Sequence, residues 1–134
     1  MSLPDYIPVR QVMRTEVTFV NGRTDVFEAL RIMKRVQATS LIVEKRHEDD
    51  EYGMLLFSDI AKQVIAKDRA PERINVYEIM AKPVIAVRPG MDIRYCARLF
   101  DNFGISHAPV IENDKVVGIV SYYLLVLEGL PNLD

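Results

Sequence analysis

The alternation of apolar and polar positions along this chain runs through one pattern twice. At an offset of 67, Val9, Met13, Val17, Val20, Asp25, Arg31 and Val43 meet Val76, Met80, Val84, Val87, Asp92, Arg98 and Val110, seven identities in 35 aligned positions. Unrelated segments of ordinary composition share about 6–7% of positions. Substitutions between the copies stay in class: Val12/Ile79, Val26/Ile93, Ile32/Leu99, Met33/Phe100 and Thr39/Ser106. The offset then falls to 65, so that Gly53 meets Gly118, Met54 meets Ile119 and Ile60 meets Leu125. Such a duplication predicts two similar half-modules about a pseudo-twofold axis, with a cleft on that axis.

Each copy predicts the same elements. A short helical turn (Val9–Met13; Val76–Met80) leads into a β-rich run, 17–20 or 84–87, closed by a turn at Asn21-Gly22 or Pro89-Gly90. A helix follows, opened in the first copy by Thr24-Asp25 with Glu28 as capping-box partner. Its apolar face is Val26, Ala29, Leu30, Met33 and Val36 in one copy and Ile93, Cys96, Ala97, Phe100 and Phe103 in the other, at helical spacing. A second strand (Ser40–Val43; Ala108–Ile111), a polar hairpin and a third strand ending in Gly53-Met54-Leu55 or Gly118-Ile119-Val120 come next. A closing helix spans about Phe57–Lys67, or Ser121–Glu128. The order is β-α-β-β-α twice, an α/β (α+β) fold, with residues 1–67 as the first repeat, 68–75 as linker and 76–134 as the second repeat.

Ile32 and Leu99 lie off the main apolar faces, yet both are large and aliphatic. The 121–128 helix is apolar nearly all round. A monomer of this size covers one side of such a helix, so Ile32, Leu99 and this helix are expected to meet a second copy in a homodimer. Coverage by the first repeat is the alternative.

Composition narrows the class. The chain has 134 residues, 49% apolar and 27% charged, which suits a soluble globular protein. A net charge of −2 argues against a nucleic-acid partner. The start, Met1-Ser2-Leu3-Pro4-Asp5, shows no basic segment leading into an apolar one, and the uncharged run 116–127 is shorter than a membrane span. The single cysteine, Cys96, excludes an intrachain disulfide and reads as a small buried hydrophobe in a cytoplasmic protein. The run Glu44-Lys45-Arg46-His47-Glu48-Asp49-Asp50-Glu51 has a metal-like look, but its own cations oppose a divalent ion. It reads as a solvated, partly disordered hairpin. No metal site and no catalytic constellation is expected; Ser58 beside Asp59 has no base placed for it.

The Val12-Met13 and Ile79-Met80 turns, the duplicated element order and the Gly-hydrophobic-hydrophobic third strands resemble a tandem pair of cystathionine β-synthase (CBS) domains, a stand-alone Bateman module. The stretch Phe103-Gly104-Ile105-Ser106-His107-Ala108-Pro109-Val110-Ile111 is similar to that family's second strand. The resemblance implies a regulatory, non-catalytic module whose inter-repeat cleft holds an adenosine-containing ligand such as AMP, ADP, ATP or S-adenosylmethionine.

It also implies where the ligand sits. Family members carry a Gly-h-h-Thr/Ser-x-x-Asp run in which the carboxylate accepts from the ribose hydroxyls. Here 53–59 keeps Asp59 but has Leu56 for the hydroxyl, and 118–124 keeps Ser121 but has Leu124 for the acid. By the same resemblance Thr15, Glu16 and Val17 border the adenine, and Thr39 and Ser40 offer hydroxyls. Lys82, Ser106, His107 and Pro109 hold the matching positions of the second copy, where Ile42 stands opposite Pro109. Each has a plainer role to set beside this one: Asp59 and Ser121 as helix-start residues, His107 as a hydrogen-bonded edge histidine. The expectation is a sensor that binds its ligand near Asp59 and signals in trans to an unknown effector protein. The alternative is a ligand-free dimerisation or scaffold module with degenerate clefts.

Overall fold

Two aspartates start the two long helices. A computed structural model describes residues 3–130, so the outermost ends of the repeats read above, Met1-Ser2 and 131–134, lie outside the described residues. Strand β1 is Phe19–Val20, helix α1 Val26–Val36, strand β2 Ser40–Val43, strand β3 Gly53–Leu56 and helix α2 Phe57–Ile60. Helix α3 is Ile93–Phe103, strand β4 His107–Glu112, strand β5 Lys115–Ser121 and helix α4 Tyr122–Leu127. Asp25 caps α1 by accepting from the Glu28 N–H at 2.8 Å, and Asp92 caps α3 by accepting from the Arg94 N–H at 2.8 Å. Both helices end on a left-handed residue, Gln37 and Gly104.

The chain packs as two units, named here for their place in the sequence: a central unit, Thr18–Val84, and a flanking unit made of the residues up to Val17 and from Ile85 onward. This division cuts across the repeated sequence. In the central unit the lead segment that opens the second copy docks on the helix of the first. Val26 N–H donates to Ile74 O at 2.8 Å, Val76 N–H to Thr24 O at 2.8 Å, and Met54 and Ala81 exchange a pair of backbone bonds at 3.0 and 2.9 Å. The flanking unit repeats the arrangement with the lead of the first copy: Ile93 N–H to Ile7 O at 2.9 Å, Val9 N–H to Met91 O at 2.8 Å, and a pair at 2.9 Å between Arg14 and Ile119.

The central unit carries a three-stranded sheet in the order β1-β2-β3, β1 parallel and β3 antiparallel to β2, with Ser40 opposite Leu56 and Val43 opposite Gly53. Its core gathers Val20, Val26, Ala29, Met33, Leu41, Val43, Leu55, Ile60, Val64 and Val76. The flanking unit has the β4-β5 hairpin, with His107 opposite Ser121. Its core includes Val9, Val12, Ile93, Cys96, Phe100, Ala108, Val110, Val120 and Leu125.

Several expectations shrink. The 17–20 run is a strand only at Phe19–Val20, and in 84–87 only Val87 bridges to Val110. The first closing helix turns from α to a wider π winding over Ala61–Ile65. Phe103, assigned to the apolar face of α3, is 61% exposed. It is the last helical residue before Gly104 turns the chain, and Ile105 packs on the core instead. Ile32 and Leu99 are half-buried and pack against the cores of their own units, which accounts for part of their apolar surface.

Candidate functional site

In the central unit, β3 runs directly into α2, and that corner adjoins the start of β2. Phe57 N–H donates to Thr39 O at 3.3 Å, and Leu56 lies opposite Ser40. Asp59, half-buried, turns back so that Oδ2 accepts from the Leu56 N–H at 2.8 Å. Thr39, Ser40 and Asp59 therefore meet at one end of the β2-β3 ladder. The carboxylate is held in place by the helix-start role that its position suggested, and its oxygens have lone pairs beyond the one this bond uses.

The flanking unit builds the counterpart corner. Tyr122 N–H donates to Ser106 O at 3.2 Å, and Ser121 Oγ accepts from the Leu124 N–H at 3.3 Å, an N-cap. Ser106 Oγ lies 2.8 Å from His107 Nδ1. Burial lowers the His107 pKa from its ordinary value of 6.5, which favours the neutral ring. Ser106, His107 and Ser121 are thus brought together, with Leu124 where an acid would stand. Pro109 is buried within β4, and its carbonyl accepts from Val87 N–H at 3.1 Å.

Thr15, Glu16 and Val17 belong to the flanking unit by packing, although they open the first copy in sequence. Thr15 and Glu16 are exposed, and Glu16 lies 3.8 Å from Arg14. Lys82 belongs to the central unit and is drawn away from Asp59. Its Nζ donates to Asp50 Oδ2 at 2.9 Å, in the hairpin at the Val43–Gly53 end of the ladder.

In the sequence Asp50 stands as one acid in a charged run. It is far more engaged than that, because Arg46 also reaches it through N–H, Nε and Nη2 at 2.9, 3.0 and 3.3 Å. These cations hold its carboxyl well below the usual carboxylate range. The hairpin expected to be loosely solvated is closed by this acid. Its partner Lys82 is 32 residues away, a separation no local motif reveals. Among the described residues, no cluster of His, Cys, Asp and Glu is placed to hold a metal ion, and no helix is long and apolar enough to cross a membrane.

Both repeats are recognised by comparison with known proteins. The CBS domain family model matches residues 9–66 and 76–126. The chain belongs to the CBS domain family. It is similar to the hexameric CBS-CP12 protein from bloom-forming cyanobacteria, with a TM-score of 0.90, 36% identity, and coverage of 92% of this chain and 71% of that one. A homoserine O-acetyltransferase of Methanosalsum zhilinae is 37% identical over 117 residues, 85% of this chain but 22% of that enzyme. The CBS pair of protein MJ0100, solved in complex with 5′-methylthioadenosine and S-adenosyl-L-methionine, superposes with a TM-score of 0.76 at 22% identity over 89% of this chain and 96% of that one, a likeness of fold. The chain spans from about a fifth to three fifths of the length of the first curated relatives it matches. A CBS pair is a regulatory module, and that is the class of this chain.

Proposed function

We propose that this CBS pair senses an adenosine-containing ligand (AMP, ADP, ATP or S-adenosylmethionine), holding its ribose at Asp59, and passes the signal in trans to an effector protein in the cytoplasm. The observation that carries this reading is the Asp59 carboxylate, fixed at the β3-α2 corner by the Leu56 N–H and adjoined by Thr39 and Ser40. A vicinal diol is best met by one carboxylate with lone pairs to spare, and flanking hydroxyls suit base or phosphate. The adenosine compounds bound to MJ0100 support the ligand class. Binding of such a ligand regulates only if it favours one conformation, typically by about 1–3 kcal/mol.

Thermal unfolding with each of the four compounds tests this. A ligand at a hundredfold excess over its Kd stabilises by about 2.7 kcal/mol. Asp59→Asn keeps an acceptor for Leu56 and loses the charge, so it should abolish the shift while leaving the ligand-free melting temperature close to wild type.

A second reading has its own support. Leu56 and Leu124 each replace a residue that ribose recognition uses, and the outer side of α4 is apolar and exposed. A ligand-free dimerisation module would show no shift with any of the four compounds and would self-associate through α4.

A further inference from the structure

The turn that follows β1 in the central unit holds the only Asn-Gly pair in the chain, Asn21-Gly22. We propose that this pair is a site of spontaneous covalent modification: in the folded protein Asn21 converts with time to aspartate and isoaspartate, and the isoaspartate form loosens the docking of the second copy's lead segment.

The reaction needs a side-chain amide open to water, a free backbone nitrogen after it, and a side chain folded back toward that nitrogen. Asn21 is exposed. The Gly22 N–H makes no hydrogen bond among the described residues, although the backbone around it is bonded: Val20 O accepts from Glu44 N–H at 2.9 Å and Asn21 O from Thr24 N–H at 3.0 Å. Asn21 Oδ1 accepts from the Arg23 N–H at 2.8 Å, an Asx turn. That bond folds Cγ over the Asn21–Gly22 peptide, toward closure of a five-membered ring, and polarises the carbonyl that is attacked.

In the first step the Gly22 nitrogen gives its proton to hydroxide and bonds to Asn21 Cγ. The Cγ–Nδ2 bond breaks, and the nitrogen leaves as ammonia with a proton from water. Water then opens the cyclic imide at either carbonyl. One opening leaves aspartate; the other leaves isoaspartate, with the main chain running through Cγ. The sum consumes one water, frees one ammonia and exchanges an amino group for a hydroxyl, with no change of oxidation state.

The turn's shape does not call for this glycine. Gly22 lies outside the left-handed region, and a Cβ there would meet Tyr77 Cβ at 3.4 Å and Val43 Cγ1 at 3.5 Å, ordinary packing distances. Alanine would fit; what glycine adds is an unhindered nitrogen. The other asparagines precede Val76, Phe103, Asp114 and Leu133, whose side chains crowd the attacking atom. The aligned turn of the second copy, Arg88-Pro89-Gly90, has no amide side chain before its proline and cannot react in this way.

The product acts on a joint between the two copies. Gly22 O accepts from Tyr77 N–H at 2.9 Å, next to the Val76 N–H bond to Thr24 O. Aspartate keeps the Asx bond, since its carboxylate accepts as the amide did. Isoaspartate lengthens the main chain by one carbon ahead of Gly22 and draws Gly22 O out of line with Tyr77 N–H.

Ageing the full native chain in mildly alkaline buffer tests this, read by intact mass, ammonia release and peptide mapping with an isoaspartate-specific methyltransferase. Ammonia should appear in step with the mass change, faster as pH rises, and the methyl label should fall on the peptide that holds residue 21. Asn21→Gln should abolish the conversion, and Gly22→Ala should slow it by about tenfold through a higher barrier to attack. The isoaspartate fraction should melt below the unaged chain, with amide shifts centred on 20–24 and 76–78, whereas Asn21→Asp should melt close to wild type. A native chain that stays intact while the urea-unfolded chain converts would show that the fold protects this pair, and overturns the proposal. Label on another residue, conversion indifferent to Asn21→Gln, or an isoaspartate form as stable as the unaged chain would do the same.

Discussion

The sulfur of Met13 rests on Gly118: a Cβ at that glycine would stand 2.6 Å from Met13 Sδ and 3.0 Å from the Arg14 carbonyl oxygen. Met80 covers Gly53 in the same way, at 2.7 Å, with the Ala81 carbonyl oxygen 3.3 Å away. These contacts explain two weak sequence motifs at once. The methionine ending each lead segment and the glycine in each third strand are two halves of one joint, which lets the lead chain bond to Met54 or Ile119.

Gly118→Ala should accordingly destabilise the chain by about 1–3 kcal/mol, the usual range for overpacking. The flexible methionine can swing aside, but the Arg14 carbonyl oxygen belongs to a hydrogen-bonded bridge and cannot. Gly53→Ala, whose nearest carbonyl oxygen is further off, should cost less. Urea unfolding of the two variants and of Met13→Ala/Gly118→Ala checks this. A double variant that recovers wild-type stability would place the whole strain on the sulfur.

Much of this was legible in the chain because the copies corroborate each other. Asp25 marks a helix start and, like the Asp92 aligned with it, proves to be a cap, since a short acceptor before an apolar-periodic run has few other uses. The order of elements along the chain followed from the same duplication. The exchange of lead segments was not legible: a repeat in sequence states that two stretches are alike, not which partner each packs on. Phe103 misled because helical periodicity does not register where the helix leaves the core. At the site, the Thr39–Ser40–Asp59 corner follows from local connectivity, whereas the Lys82–Asp50 contact depends on a lead segment arriving from the other copy.

Asp92 should prove a costlier cap than Asp25. It accepts from Arg94 N–H at 2.8 Å, from Ile7 N–H at 3.3 Å and from Arg94 Nη1 at 3.1 Å, and is buried. Those bonds, the Arg94 N–H foremost, lower its pKa from 3.8 despite its desolvation. The stabilisation is present above 3.8 and is lost as pH falls toward the lower folded value, because the unfolded chain takes up the proton first. Asp92→Ala should cost about 1–2 kcal/mol at neutral pH, and less in strong acid. Thermal melting across the acid range, beside Asp25→Ala, measures it.

His107 titrates in a milder window with the same sign. Burial depresses its folded pKa below 6.5, so the unfolded chain binds more protons as pH drops past 6.5. Stability is complete above that value and declines as pH falls toward the folded pKa. His107→Gln should flatten this decline. Urea midpoints at about pH 7.5 and pH 5.5 bracket the transition. A slope unchanged in the variant would remove His107 as its source.

Cys96 is fully buried on the apolar face of α3, and desolvation pushes its thiol pKa up to about 11. Thiolate is the reactive form, so native protein should resist an aromatic disulfide reagent at about pH 8 and react at once in denaturant. Cys96→Ser should destabilise without changing ligand binding, because a hydroxyl is left among apolar neighbours. Fast labelling of the native chain would point to local opening of α3, visible as rapid amide exchange along that helix.

Helix α4 sets the last expectation. Its inner side is anchored by Leu125, which is buried, and by the edge-on contact of Tyr122 with Phe100 at 5.2 Å. Its outer side leaves Tyr123 70% exposed and Val126 50% exposed, with Leu127 beside them. Apolar side chains grouped on one exposed helix face are costly in water unless covered, and a symmetric self-contact covers the face on both partners at once. Val126→Glu should therefore shift sedimentation from dimer toward monomer with little change in unfolding of the monomer. Leu99→Glu should instead lower stability, since Leu99 packs on its own core. A chain that sediments as a monomer at every concentration would show that this face has another use.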